Sequence, residues 1–456
     1  MKHAERQGKS LKKYLVLLAK AVFLLSSILL LASCAFKSTD KLLTPPRGSS
    51  EYEQLQKKID KLIATGAEYS PPISGTYRQS VQLEDIDGDG TKEALVFLNV
   101  PTESKPLKIY IYKETDGEYT EVAVLEGEGT NVDSVNYIDL NGDGALEIVV
   151  GRQISTSIKM LTIYSARNLE MSIVTSVDYL EYSICSLSDD ESSNVFIIKP
   201  SALGQAKEVE IILGMSGGEM VSTKSVLTRG AESIKRIRTS PLTDGNQAVI
   251  VEGRMSDGSI FTDIFTLVND EVKNITLNPS KGVSDKTLRT EEIYCRDIDE
   301  NGIVEIPSPV MLPEQIEGVV HWLIEWYAYD SDGDREEVVT IYNCTNDGWM
   351  LIIPEQWKDK ITARRVEYVA GEKTVIFSYY DENDEIQDFL AIYTLSGENK
   401  DERANISGRF TLFAENEEIF VARIYDTDFT TKYKITEELI KENFSIIYSE
   451  WNPGET

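Results

Sequence analysis

Histidine is almost missing from this 456-residue chain, which has two, His3 and His321. Ser-His-Asp hydrolysis needs an imidazole to take the serine proton, so that chemistry would rest on His321 alone. His321 stands in the apolar, strand-like run Val319-Val320-His321-Trp322-Leu323-Ile324, where a structural role is expected. No nucleophile elbow and no phosphate-cradling glycine loop is expected either. Cysteine is scarce as well. Only Cys34, Cys185, Cys295 and Cys344 occur, and none forms a Cys-x-x-Cys pair, so zinc and thioredoxin chemistry lack their ligands. Cys185 and Cys295 each fall in a strand just before a turn loop, which points to core packing. Positive charge is in short supply too: 46 Lys and Arg against 76 Asp and Glu give a net charge of -30. Such a surface repels polyanions, and no nucleic-acid partner is expected. A solvated acidic surface accounts for most of this charge, and some carboxylates are expected to rely on a divalent cation.

Oxygen donors, by contrast, recur in register. Asp85-Ile86-Asp87-Gly88-Asp89-Gly90-Thr91-Lys92-Glu93 is followed by Asp139-Leu140-Asn141-Gly142-Asp143-Gly144-Ala145-Leu146-Glu147, and later by Asp297-Ile298-Asp299-Glu300-Asn301-Gly302-Ile303-Val304-Glu305. Positions 1, 3, 5 and 9 carry the donors in all three. Alternate residues of a tight loop aim their oxygens at one centre, as a hard cation such as Ca²⁺ requires, and glycine at position 6 permits a left-handed turn. Position 12 is Val96, Val150 and Ser308, which excludes an EF-hand. Apolar runs follow the first two loops at once, so the metal would clip the start of a strand.

The spacing is 54 residues from Asp85 to Asp139 and 158 from Asp139 to Asp297, close to three periods. Two silent copies are expected between them, around Ser188–Asn194 and Thr243–Gln247, keeping turn and strand but not the donors. Each copy continues into further strands joined by turns at Asp116-Gly117, near Asn168, and at Gly217-Gly218, Asn269-Asp270 and Asp347-Gly348. Asp-Gly and Gly-Gly between β-rich runs are hairpin signals. Units of about 50 residues with four antiparallel strands are blades of a β-propeller. The expected fold is all-β: a propeller of six or seven four-stranded blades, with a short N-terminal and a short C-terminal helix.

The loops resemble those of the FG-GAP/VCBS repeat family, the calcium-bearing propeller repeats also found in the integrin α-subunit head. The resemblance implies a Ca²⁺ cage at Asp85, Asp87, Asp89 and Glu93, another at Asp139, Asn141, Asp143 and Glu147, and a third at Asp297, Asp299, Asn301 and Glu305. It also implies that the backbone carbonyls of Thr91, Ala145 and Ile303 complete them. The chain departs from the family in having Glu at position 9 where Asp is usual, and in lacking the Phe-Gly and Gly-Ala-Pro signatures.

A basic opening with Arg6, Lys9, Lys12 and Lys13 leads into an apolar stretch, Tyr14 to Ala32, that ends in Leu31-Ala32-Ser33-Cys34. That is how a secretory signal reads, and its end resembles a bacterial lipobox in which Cys34 is lipidated. The alternative is an uncleaved anchor helix. The domain reading is a lipoprotein signal peptide over 1–33, a tether over 34–50 with Pro45-Pro46, and a short helix with a proline linker over 51–72. The propeller follows over 73–430, then a C-terminal helix and tail over 431–456. Prolines at 307, 309 and 313 make Gly302 to Val319 read as an insertion, and Asp330 to Glu336 as a hairpin tip. The aromatic stretch from Gln315 to Trp357 reads as core, or else as a sugar-stacking or protein-binding surface.

The resulting expectation is a non-enzymatic, calcium-stabilised module on the outer face of a bacterial membrane, held there by its lipid and presenting loops to an unidentified protein, glycan or wall polymer. The competing expectation is a propeller-fold carbohydrate-active enzyme with carboxylates in its channel.

Overall fold

The computed structural model describes residues 52–447 apart from 188–191, 203, 217–218, 318 and 416. The signal, Cys34 and tether expectations lie outside them, as do the turn of the first silent copy and the Gly217-Gly218 turn. The chain divides into two compact units, residues 1–65 with 115–119, and residues 66–114 with 120–456. In the first, apolar residues at helical spacing form the helix Glu53–Ala64, with Leu55 and Ile59 buried. Tyr52 is its N-cap residue and supplies no side-chain cap.

Among the described residues, six antiparallel sheets of four or five strands follow one another along the chain, the blade pattern of a β-propeller. In the first sheet, Val81–Glu84 and Glu68–Tyr69 both pair with Glu93–Asn99. The second runs Asn131–Ile138, Glu147–Gln153, Lys159–Ser165, Ser172–Tyr179 in spatial as in chain order. The third and fourth start at Glu181 and Ala231 and repeat that order.

Strand sequence explains the layering. Glu93–Asn99 and Glu147–Gln153 are buried at every residue but the last, whereas Ser172–Tyr179 and Glu219–Val226 alternate or face solvent. A strand whose two faces are both covered carries a continuous apolar run, and its side chains divide with period two. Ile148 and Val150 thus join Leu95 and Phe97 of the first sheet, while Val149 joins Val195 and Ile197 of the third. Phe196 and Ile198 point the other way, to Val249 and Val251 of the fourth sheet. Each buried Val or Ile contributes roughly 1.5–3 kcal/mol, so the sheet-to-sheet faces are the main source of stability. The turns agree with their residues: Asn269 and Asp270 both adopt positive φ, 54° and 61°, as a type I′ hairpin demands.

The insertion expected over Gly302–Val319 is displaced. Ile306–Met311 is a strand at the edge of the fifth sheet, and Pro307 and Pro309 are tolerated there because an edge strand leaves N–H positions unpaired. The irregular stretch is instead the chain between Asn274 and Ile306, which carries only isolated bridges. At the C-terminus, Thr436 caps the helix Glu437–Asn443, and Phe444–Ile446 then pairs with Trp349–Ile352 as a fifth strand of the fifth sheet. The aromatic stretch is core: Trp326, Trp349 and Trp357 are all buried. Cys185, Cys295 and Cys344 are buried and free, as the core reading implies. His321 is half-buried with its Nδ1 2.9 Å from Tyr342 Oη, and burial holds its pKa below the ordinary value.

The irregular stretch is pinned by Asp263, which is fully buried and accepts hydrogen bonds from Thr228 N at 2.7 Å and Ser284 Oγ at 2.5 Å. Burial raises its pKa from 3.8 to about 6, against the pull of those donors. A carboxyl that holds its proton more tightly when folded contributes stability at low pH and loses it as pH rises through the folded value. The stability difference, wild type minus Asp263→Asn, should fall by on the order of 2 kcal/mol between pH 4 and pH 7. Denaturant unfolding of both proteins across that range checks it, and a constant difference would refute it.

Candidate metal centre

The three acidic loops share one hydrogen-bond pattern. Position 1 organises the turn: both oxygens of Asp85 accept backbone N–H groups, from Gly88 and Gly90 at 2.9 and 2.8 Å. Asp139 does the same for Gly142 and Gly144, and Asp297 for Asn301 and Gly302. Position 5 accepts from the N–H of position 7, so that Thr91, Ala145 and Ile303 bond Asp89, Asp143 and Asn301 at 2.7, 3.0 and 2.7 Å. Position 9 closes the loop from below. One oxygen of Glu93, Glu147 and Glu305 accepts the N–H of Ile86, Leu140 and Ile298 at 3.1, 2.9 and 2.9 Å. Glycine at position 6 has φ near +90° in each loop, as the sequence requires; at position 4, Gly88 and Gly142 are matched by Glu300 at +62°.

The first loop joins Val81–Glu84 to Glu93–Asn99, the second joins Asn131–Ile138 to Glu147–Gln153, and the third is closed at its base by the Arg296–Glu305 bridge just before Ile306–Met311. The loops also touch their neighbours. Leu146 N donates to Ile86 O at 2.9 Å, linking the second loop to the first. Val304 N donates to Ser240 Oγ at 2.9 Å, linking the third loop to the fourth sheet.

The loops differ at the inner oxygen of position 9. All three glutamates are buried. Glu93 Oε1 makes no hydrogen bond, but it lies 3.3 Å from the Lys113 ammonium, which is also 2.5 Å from Asp87 and 2.7 Å from Asp89. Glu147 Oε1 faces the amide of Asn141 at 3.4 Å, an orientation fixed because Asn141 Oδ1 accepts Asp143 N. Glu305 Oε1 has no hydrogen-bond partner. Burial pushes the Glu305 carboxyl up to about 7, with the Asp299 and Asp297 charges adding to it against the Ile298 N–H. Glu93 and Glu147 are raised for the same first reason.

Ligand atoms of Asp297, Asp299 and Glu305 lie within 4.8 Å of one another, and so do those of Asp85, Asp87 and Asp89; the acids of the second loop do not form such a group. For a hard cation the third loop fits: its grouped carboxylates offer only oxygens and buried Glu305 keeps one oxygen unsatisfied, while Asn301 is turned with its Oδ1 on Ile303 N and its amide donating to Asp299 Oδ2 at 3.1 Å. In the silent copies, Asn194 keeps the position-9 bond, accepting Leu187 N at 2.9 Å without a charge. Asp244 spends its carboxylate on Ser331 and Asn246. Ser331 belongs to the Asp330–Glu336 hairpin tip, where the sequence placed it. Sequence reasoning missed Lys113, whose only signal was its position in the strand facing Glu93.

Gly214-Met215-Ser216-Gly217-Gly218 does spell the letters of a nucleophile elbow, contrary to expectation. Ser216 however ends one strand of a hairpin whose next strand begins at Glu219, not a strand-to-helix turn, so no elbow is built.

An all-β protein of blade-like sheets, with carboxylate loops repeated at the head of its blades, is the class these features define. Residues 85–150, which hold the first two loops, match the FG-GAP-like repeat family, and that segment belongs to it. Comparison with curated proteins gives no match. The repeat marks the chain as a propeller-like interaction module.

Proposed function

We propose that this protein is a calcium-stabilised binding module, held by lipid at Cys34 on the extracytoplasmic face of a bacterial membrane, with its loops presented to a protein, glycan or wall polymer. The single observation that carries the calcium reading is the unpartnered, buried oxygen of Glu305 beside Asp297 and Asp299. A bound Ca²⁺ supplies the positive charge this carboxylate lacks; Asp297, Asp299, Asn301 and Glu305 would hold it. The cation serves architecture, since the loop ties Ile306–Met311 to the fourth sheet through Val304. Support for a non-enzymatic role comes from the buried acids remote from the loops, which are engaged structurally: Glu252 with Arg289, Asp347 with Arg365, Asp263 with Ser284, Asp133 with Tyr179 and Glu210 with Lys199. The anchoring rests on the N-terminal pattern; among the described residues no helix is long and apolar enough to cross a membrane.

Calcium should raise the melting temperature by mass action, worth about 2.7 kcal/mol at a hundred times its dissociation constant. Glu305→Gln should melt higher than wild type in chelator, because a buried charge is gone, and should lose most of the calcium response. Equal melting of wild type in calcium and in chelator would remove the metal from this reading. For the anchor, the test is incorporation of a labelled fatty acid in a bacterial host, expected in wild type and absent in Cys34→Ala.

A further inference from the structure

The three loops share a backbone but not a charge balance. Strand register is the cause. Ala94 pairs with Tyr112, Ile148 with Tyr164 and Ile306 with Tyr327. Continued one step along each pair, that register sets the position-9 glutamate opposite Lys113 in the first sheet, Ser165 in the second and Ala328 in the fifth. Only the first of these is a cation. Its ammonium sits 2.5, 2.7 and 3.3 Å from Asp87, Asp89 and Glu93, three of the four side chains that would cage an ion. Calcium oxygens lie at 2.3–2.6 Å, so an ion at the centre of these carboxylates and the Lys113 Nζ would claim the same space.

We propose that Lys113 is a tethered cation that takes the place of the metal in the first loop, so that this loop holds its shape without calcium while the third depends on it. The proposal rests on the calcium reading above and refines it. A tethered ammonium sits at high local concentration and needs no ion from solution, and its four-carbon stem reaches the cage from the adjacent strand Leu107–Thr115.

The test counts ions. Calorimetric titration of calcium into the full chain should give the same stoichiometry for wild type and Asp89→Asn, because the first loop binds none. Lys113→Met should gain one ion per chain. It should also melt below wild type in chelator and recover in calcium, a response that loss of a merely structural lysine would not produce. Should Asp89→Asn lose an ion, or Lys113→Met gain none while wild type binds elsewhere, the tethered-cation idea fails and the calcium reading stands. Should wild type bind nothing but Lys113→Met bind one ion, the tethered cation is upheld and calcium at the third loop is refuted. Absence of binding in all three proteins overturns both.

Discussion

Replacing Arg289 with Met is expected to destabilise the protein by about 3–5 kcal/mol, the cost of stripping one partner from a buried ion pair. Arg289 and Glu252 are both fully buried, and their Nη2 and Oε1 atoms are 2.7 Å apart. The guanidinium also donates to Thr262 Oγ1 at 2.9 Å, Thr287 O at 3.0 Å and Ile293 O at 2.5 Å. The same Glu252 oxygen accepts Cys295 N at 2.9 Å. The pair therefore ties the irregular stretch between the fourth and fifth sheets to the strand Gln247–Met255, immediately upstream of the third acidic loop. Arg236, 3.9 Å from the other Glu252 oxygen, is too distant to replace the lost donors. Denaturant unfolding measures the loss. The double variant Glu252→Met with Arg289→Met should recover at least about 1 kcal/mol of it, since no charge is then stranded. A single variant within about 1 kcal/mol of wild type would show that the pair is not the fastener described. Because Cys295 precedes the third loop by two residues, Arg289→Met should also weaken the calcium response.

Gly88→Ala should cost about 3 kcal/mol, from two sources that act together. Gly88 has φ +74°, where a side chain costs roughly 1–2 kcal/mol. A Cβ there would also stand 2.5 Å from Gly144 O, a backbone atom of the second loop that cannot swing aside. Forcing the loops apart adds an overpacking cost of roughly 1–3 kcal/mol and strains the Leu146 N to Ile86 O bond beside it. Gly142→Ala is the control. It occupies the same loop position in the second copy at φ +71°, yet nothing lies within 4 Å of its Cβ, so only the conformational cost applies. Equal losses for the two variants would mean that the contact between loops carries no energy.

Much of this was legible in the chain. The loop grammar located the turns because Asp at position 1 and glycine at position 6 are demanded by local backbone chemistry, and Asp297 and Gly302 meet that demand as Asp85 and Gly90 do. Apolar runs such as Ile148-Val149-Val150 identified strands, and the packing then showed that both their faces are covered. Prolines misled the reading of Ile306–Met311, because whether Pro307 can sit in a strand depends on whether that strand is an edge, and sheet order is a tertiary fact. The aromatic stretch admitted both a core and a surface reading until the packing placed Trp326, Trp349 and Trp357 inside.

By itself, then, the sequence determined the local events: where the chain turns, where oxygens gather, and that the repeats are antiparallel β units, whereas the fifth strand that three of the sheets carry came from the tertiary pairing. Tertiary structure decided what each oxygen cluster faces. Lys113 is twenty residues from Glu93 and Arg289 is thirty-seven from Glu252, and nothing in the intervening residues announces either meeting. Strand register and burial bring them together, and with them decide which carboxylates carry their own counter-charge and which, like Glu305, are left with an unanswered one.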